Sequence, residues 1–319
     1  MDKKLLNASK IALADCMGLK KEETLLIISD EVKKEIGSSL FDIGKKLCKE
    51  AVYVEIKSRE INGQEPPPSI AEMMKQFDVV ICPTAKSLTH TNARREAVKL
   101  GVRVGTMPGI SKQTMIRCLS ADYDKIVKMT NLLNQILKDA SEIRVTSKLG
   151  TDITMPMRGR KVIPSTGVLK NKGESGNLPS GEVYLAPWEG QSNGKVVIDG
   201  SMAGIGLLKK PITIEVVNGY AEKITGGSEA KKLVKMLDKA GRDARAVAEF
   251  GIGTNYKAKI IGQILEDEKV LGTIHIAFGN NVSMGGNITV SSHLDGLVKK
   301  PTVFVDGTAI MEQGKLLID

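Results

Sequence analysis

The chain has 319 residues, with 46 Lys and Arg against 37 Asp and Glu, a net charge of +9, 41% hydrophobic and 26% charged residues, and only three histidines. That length makes two domains the expectation, and the balance is that of a folded protein rather than a disordered one. No run approaches the ~20 apolar residues of a membrane span, no basic segment followed by an apolar run opens the chain, and the positive charge is spread without the concentrated basic face or aromatic platforms of a nucleic-acid binder.

From the N-terminus, an amphipathic stretch from Leu5 to Leu19 leads into Thr24 to Ser29, a short apolar run bounded by charges, as a buried strand should be. Helical patterning over Glu31 to Glu50 precedes the β-branched run Val52 to Ile56. After Pro66, Pro67 and Pro68 come a short helix, the strand Val79 to Cys82, a helix from Thr91 to Leu100 stopped by Gly101, and the strand Val102 to Thr106. Strands separated by helices imply right-handed crossovers and a doubly wound parallel sheet covered on both faces. The glycine-rich turn of a nucleotide-binding sheet is missing after Thr24 to Ser29, which disfavours a dinucleotide or phosphate-loop enzyme. A helix from Tyr123 to Ala140 closes this half. Cys16, Cys48, Cys82 and Cys118 are widely spaced and form no metal or redox pair, the expectation for a reduced, cytoplasmic protein.

From Ile143 onward glycine is frequent, and strand-like pieces recur at Ile143 to Ser147, Thr151 to Met155, Gly181 to Ala186, Lys195 to Ile198, Ile212 to Val217 and Tyr220 to Ile224. Their short spacing predicts mostly antiparallel sheet, interrupted by one amphipathic helix, Ser228 to Ala240. The expected architecture is an N-terminal α/β domain over 1–141 and a β-rich domain with one helix over 142–319.

The scarcity of histidine makes the placement of each informative. His275 lies in Gly-Thr-Ile-His-Ile-Ala-Phe-Gly, and His293 in Ser-Ser-His-Leu-Asp-Gly, where residues two apart on a strand point to one face and bring His293 and Asp295 to a common point. Glu182 sits in an apolar strand-like run, where an unpaired charge would be costly, and Glu249 occupies a similar place in Ala-Val-Ala-Glu-Phe-Gly-Ile-Gly. A buried core histidine and solvated glutamates are the plain alternatives. Three carboxylates and two imidazoles are the right number and type for two divalent ions sharing a bridging carboxylate.

The ordered series Gly-Glu182-Val, Glu249-Phe-Gly-Ile-Gly-Thr-Asn, His275-Ile-Ala-Phe-Gly and His293-Leu-Asp295 resembles the metal-binding series of the aminopeptidase T and aminopeptidase S family, often called leucyl aminopeptidases. Ser87 to Arg95, including His90, and Gly105 to Ile110 resemble segments of that family's N-terminal domain, where His90 would pack domains or a dimer rather than act in catalysis. The resemblance implies a metallo-aminopeptidase, a hydrolase that removes N-terminal residues from a peptide substrate. It would use two divalent ions (zinc, cobalt or manganese) held by Glu182, Glu249, His275, His293 and Asp295, with Glu249 as the bridge, no nameable general base, and a homodimeric assembly. Two departures stand out: Val282 takes the place where larger members carry a tyrosine, and the spacing from His275 to His293 is short. The same fold includes a ring-opening branch, the dihydroxypyridine dioxygenases, which use one iron ion. His275, His293 and Asp295 could form the two-His-one-carboxylate face of that chemistry, although in that branch a histidine stands about where Glu249 stands here. A metal-free binding protein on the same scaffold is the third reading.

Overall fold

The structure, a computed structural model, describes residues 2–318. The chain divides into two compact units, Met1–Val127 with Ser165–Ser180 and Lys128–Pro164 with Gly181–Asp319.

In the first unit five parallel strands run in the order Glu50–Ile56, Thr24–Asp30, Val79–Cys82, Arg103–Thr106 and Ser175–Asn177. Leu26, Ile28, Val80, Cys82 and Val104 bury one face against Ile70, Met74, Ala93 and Ala97 of the helices Pro68–Met74 and Asn92–Lys99. The latter helix starts where Thr91 accepts a hydrogen bond from the Arg94 amide, a side-chain N-cap. One helix escapes the sequence reading, Lys112–Leu119, a short amphipathic segment of eight residues capped by Ser111. None of the four cysteines is in a disulfide, and His90 stands exposed in the turn before Asn92. Among the described residues no helix is long and apolar enough to cross a membrane.

The break between units differs from the expected 141/142. It falls within the helix Tyr123–Leu137, and the later segment Ser165–Ser180 belongs to the first unit. The cause is a pairing between segments distant in sequence: Ser175–Asn177 adds to the edge of Arg103–Thr106 in the register Val104 to Ser175 and Thr106 to Asn177. Its glycine-rich, polar composition reads locally as a turn.

The second unit stacks two sheets. The first has eight strands, centred on Asn193–Ile198, Asp152–Pro156, Glu142–Thr146 and Thr302–Val305. The second has seven and includes, in spatial order, His293–Lys299, Thr273–Gly279, Val247–Gly253 and Glu182–Leu185, each antiparallel to its neighbour. Alternation assigns the faces. Val183, Leu185, Phe250, Ile252, Ile274, Ile276, Phe278 and Val298 bury against Val145, Ile153, Val196, Ile198, Ile212 and Ile214 of the first sheet, at about 1.5–3 kcal/mol for each large side chain. The opposite face of the same four strands carries the polar residues.

Candidate metal centre

The antiparallel register brings the polar face together. Gly253 pairs with Glu182, Gly251 with both Tyr184 and His275, Glu249 with Ala277, and Ala277 with Asp295. A bulge between Val247 and Glu249 re-aims the start of that strand, the usual effect of an extra residue. Small residues at 251, 253 and 277 leave room above the sheet. At Gly251 the requirement is spatial, since an added Cβ would lie 2.1 Å from His275 Nε2.

All five residues singled out in the sequence converge here. Glu249 is central: its Oε1 accepts from His275 Nε2 at 3.1 Å, and its Oε2 lies 3.0 Å from His293 Nε2. Asp295 Oδ1 stands 3.3 Å from His293 Nε2, and Glu182 Oε2 3.8 Å from His275 Nε2. The donors separate into two groups, Glu249 with His293 and Asp295, and Glu182 with His275 and Glu268, each with its ligand atoms within 4.8 Å of one another. The expected face of His275, His293 and Asp295 is therefore not the set that closes. Strand pairing seats His275 against Gly251 and Asp295 against Ala277, which directs His275 toward Glu182 and Glu268.

Sequence reasoning missed Glu268 and Lys269, in the run Leu-Glu-Asp-Glu-Lys ahead of the His275 strand. Lys269 donates from Nζ to Glu182 Oε1 at 2.7 Å and pairs with Glu268, with its side chain only 1% exposed. The available signal was a charged run ending at a strand that is buried throughout.

Electrostatics follows from this crowding. Burial by itself would raise the Glu249 carboxyl, yet the hydrogen bonds from His275 and His293 hold it well below the usual carboxylate range. Burial likewise opposes charge on His275, but Glu249 and Glu182 overcome it and push the imidazole up to about 9. His293 is raised for the same reason, by Asp295 and Glu249 against burial. Glu268 moves the other way from Glu249, pushed up to about 8 by burial despite Lys269. Tyr184, on the same face, is raised by burial and by the Glu249 and Glu182 carboxylates, so its phenol stays protonated and able to donate.

The raised imidazoles fix the sign of a pH effect in the metal-free protein. His275 lies above its ordinary 6.5, so its contribution is complete below about pH 6.5 and lost as pH rises through about 9, on the order of 3 kcal/mol. Urea unfolding of chelator-treated protein should give lower stability at about pH 9.5 than at about pH 6.5; equal stabilities would contradict this arrangement. Metal loading reverses the trend, because ligands must shed protons to bind.

The donor set fits a divalent cation. His293 Nδ1 lies 2.7 Å from the Asn280 carbonyl oxygen; a carbonyl can only accept, so the proton is on Nδ1 and Nε2 is turned toward Glu249 and Asp295. That outer hydrogen bond is the arrangement by which proteins orient a metal-ligating histidine. Asn280 belongs to a tight turn held by Glu189, whose Oε1 accepts from Asn281 Nδ2 and the Asn287 amide, both at 2.8 Å, and from Arg160 at 3.1 Å. Arg160 in turn stacks on Trp188. Val282, at the place where larger members of the aminopeptidase family carry a tyrosine, is exposed in this turn. Replacing Glu189 by Ala should loosen the turn and weaken metal binding about 10- to 100-fold in a chelator competition, with Glu189→Gln retaining much of the affinity. Full affinity in Glu189→Ala would contradict the role of the turn.

A buried cluster of carboxylates and imidazoles on one face of an antiparallel sheet, in a chain that also folds a parallel α/β unit, is the donor set of a metal-dependent enzyme class. The family model described as NicX, 2,5-dihydroxypyridine 5,6-dioxygenase, matches residues 17–318. The chain thus belongs to the 2,5-dihydroxypyridine 5,6-dioxygenase family and is an enzyme. The 2,5-dihydroxypyridine 5,6-dioxygenase of Pseudomonas putida KT2440 is 22% identical over 243 residues, 72% of this chain and 69% of that protein. The solved structure of 2,5-dihydroxypyridine dioxygenase from Pseudomonas putida KT2440 superposes with a TM-score of 0.84 at 17% identity, covering 98% of this chain and 96% of that one. Wild-type AmpT from Thermus thermophilus superposes with a TM-score of 0.72 at 15% identity, covering 99% of both chains. The shared fold matches the expected two-domain architecture.

The expectation of peptide hydrolysis is corrected by these findings. The family model and the curated relative both carry the dioxygenase name, while the similarity to AmpT is one of fold. The error has a physical source: carboxylates and imidazoles hold a hydrolytic ion and an oxygen-activating ion alike, so the series of ligands does not specify the reaction.

Proposed function

We propose that this protein is a metal-dependent oxygenase that opens a dihydroxylated pyridine-type ring, using one ferrous ion held by Glu249, His293 and Asp295. The observation that carries the reading is the closure of these three donors into one group within a chain matched almost throughout by the dioxygenase family. When bound, the ion would supply a redox-active Lewis acid at which a ring diol and dioxygen can meet. The residues of the chain do the rest. Glu249 and Asp295 together carry two negative charges, which balance one divalent cation once both imidazoles are neutral. Asn280 holds the His293 ring, and His275 anchors the second oxygen of Glu249. His293 is the most exposed member of the group, with its side chain 31% open, which marks the side from which a flat ring would approach. Tyr184 remains a hydrogen-bond donor on the same face and could orient a ring oxygen.

The reading is tested by loading the protein with ferrous, manganous or zinc ions and following the ring absorbance of 2,5-dihydroxypyridine and related diols in air. Loss of ring absorbance that depends on iron is expected. No loss with any diol and any of these metals would overturn the proposal.

A further inference from the structure

The second group of donors, Glu182, Glu268 and His275, matches the first in type, with two carboxylates and one imidazole within 4.8 Å. By composition alone it would take a second divalent ion. We propose that Lys269 is a resident cation that occupies this half of the centre in place of that ion and keeps the enzyme mononuclear.

Three independent features place the ammonium there. Lys269 Nζ is bonded to Glu182 and Glu268 together, and a buried ammonium is tolerated only when its charge is compensated in this way. The main chain sets its position: the Asn255 amide donates to the Lys269 carbonyl at 2.8 Å. Gly253 also lies so close that an added Cβ would be 2.2 Å from the Val270 carbonyl oxygen and 2.6 Å from the Lys269 carbonyl carbon. Gly253 pairs with Glu182, so the lysine and its carboxylate are held on one strand register. Third, the group is built for more than the ammonium uses. Glu182 Oε2 is buried without a hydrogen-bond partner and lies 3.8 Å from His275 Nε2, which is itself engaged by Glu249, leaving a carboxylate lone pair that a second ion would use. An ammonium has three protons and no coordination shell, and it satisfies the two carboxylates while leaving that Glu182 oxygen unfilled.

The inference shares its site with the one-ion oxygenase reading but is tested without substrate or oxygen, so either can fail alone. Wild-type protein dialysed with manganous ion, then measured by elemental analysis and electron paramagnetic resonance, should hold one uncoupled ion per chain. Lys269→Met should hold two, with the signal of a coupled pair, and Lys269→Arg should remain at one. Metal-free Lys269→Met leaves two buried carboxylates unpaired and should melt below wild type, with manganous ion restoring most of the difference. If Lys269→Met does not accumulate, Lys269→Gln serves, because it removes the charge while keeping a polar side chain. Two ions in the wild type, or one ion in a folded Lys269→Met or Lys269→Gln protein, would overturn the proposal.

Discussion

Replacing Glu249 by Gln should reduce divalent-metal affinity by more than 100-fold and abolish activity while the protein stays folded. Both carboxylate oxygens are engaged, one with each histidine, so the amide leaves one imidazole facing an NH2 group and removes a negative charge from the metal side. Second-sphere losses in such centres already weaken affinity about 10- to 100-fold, and loss of a direct donor exceeds that. In the metal-free protein the same change removes the charge of a partner shared by two raised imidazoles, and the pKa of His275 should move from about 9 toward its ordinary value. Glu249→Ala goes further, since leaving buried charges uncompensated costs about 3–5 kcal/mol. Chelator competition and histidine titration by NMR measure both effects. Retained affinity in Glu249→Gln would remove Glu249 from the centre.

The second large effect is expected at a residue with no chemistry of its own. Gly251→Ala places a methyl where the His275 ring lies, 2.1 Å from Nε2 and 2.2 Å from Cε1. The ring must rotate away, breaking its bond to Glu249 Oε1, and the crowding costs about 1–3 kcal/mol. Metal affinity should fall about 10- to 100-fold as Glu249 loses its anchor. Thermal unfolding and metal titration of the same preparation separate the two consequences. Wild-type values in both would show that the ring is not seated against Gly251.

What could be read from the residues was a candidate set of donors and the succession of elements. The strands Val79–Cys82 and Ile212–Val217 and the helix Ser228–Ala240 are found at the expected bounds, because each has a strong local signal of period or composition. Glu182 and Glu249 stood out because a charge in an apolar strand is costly unless it meets a partner, and His275, His293 and Asp295 because histidine is scarce and residues two apart share a strand face. The resemblance to the aminopeptidase family joined them into one set, which the structure brings together. Three features depended on pairing across the chain. Ser175–Asn177 joins a parallel sheet from a segment that reads as a loop. His275 joins Glu182 and Glu268 rather than Asp295 because of the register with Gly251. Lys269 sits in an acidic run that resembles a solvated surface, and only the close approach to Gly253 buries it. The reaction itself was the least legible, since the same ligands serve hydrolysis and oxygenation.

The most direct test of the account follows the oxygen atoms. Iron-loaded protein given 2,5-dihydroxypyridine under labelled dioxygen should open the ring and place both atoms of the label in the product, with one molecule of oxygen consumed for each ring lost. A product that takes its new oxygen from water, with no oxygen consumed, would contradict it.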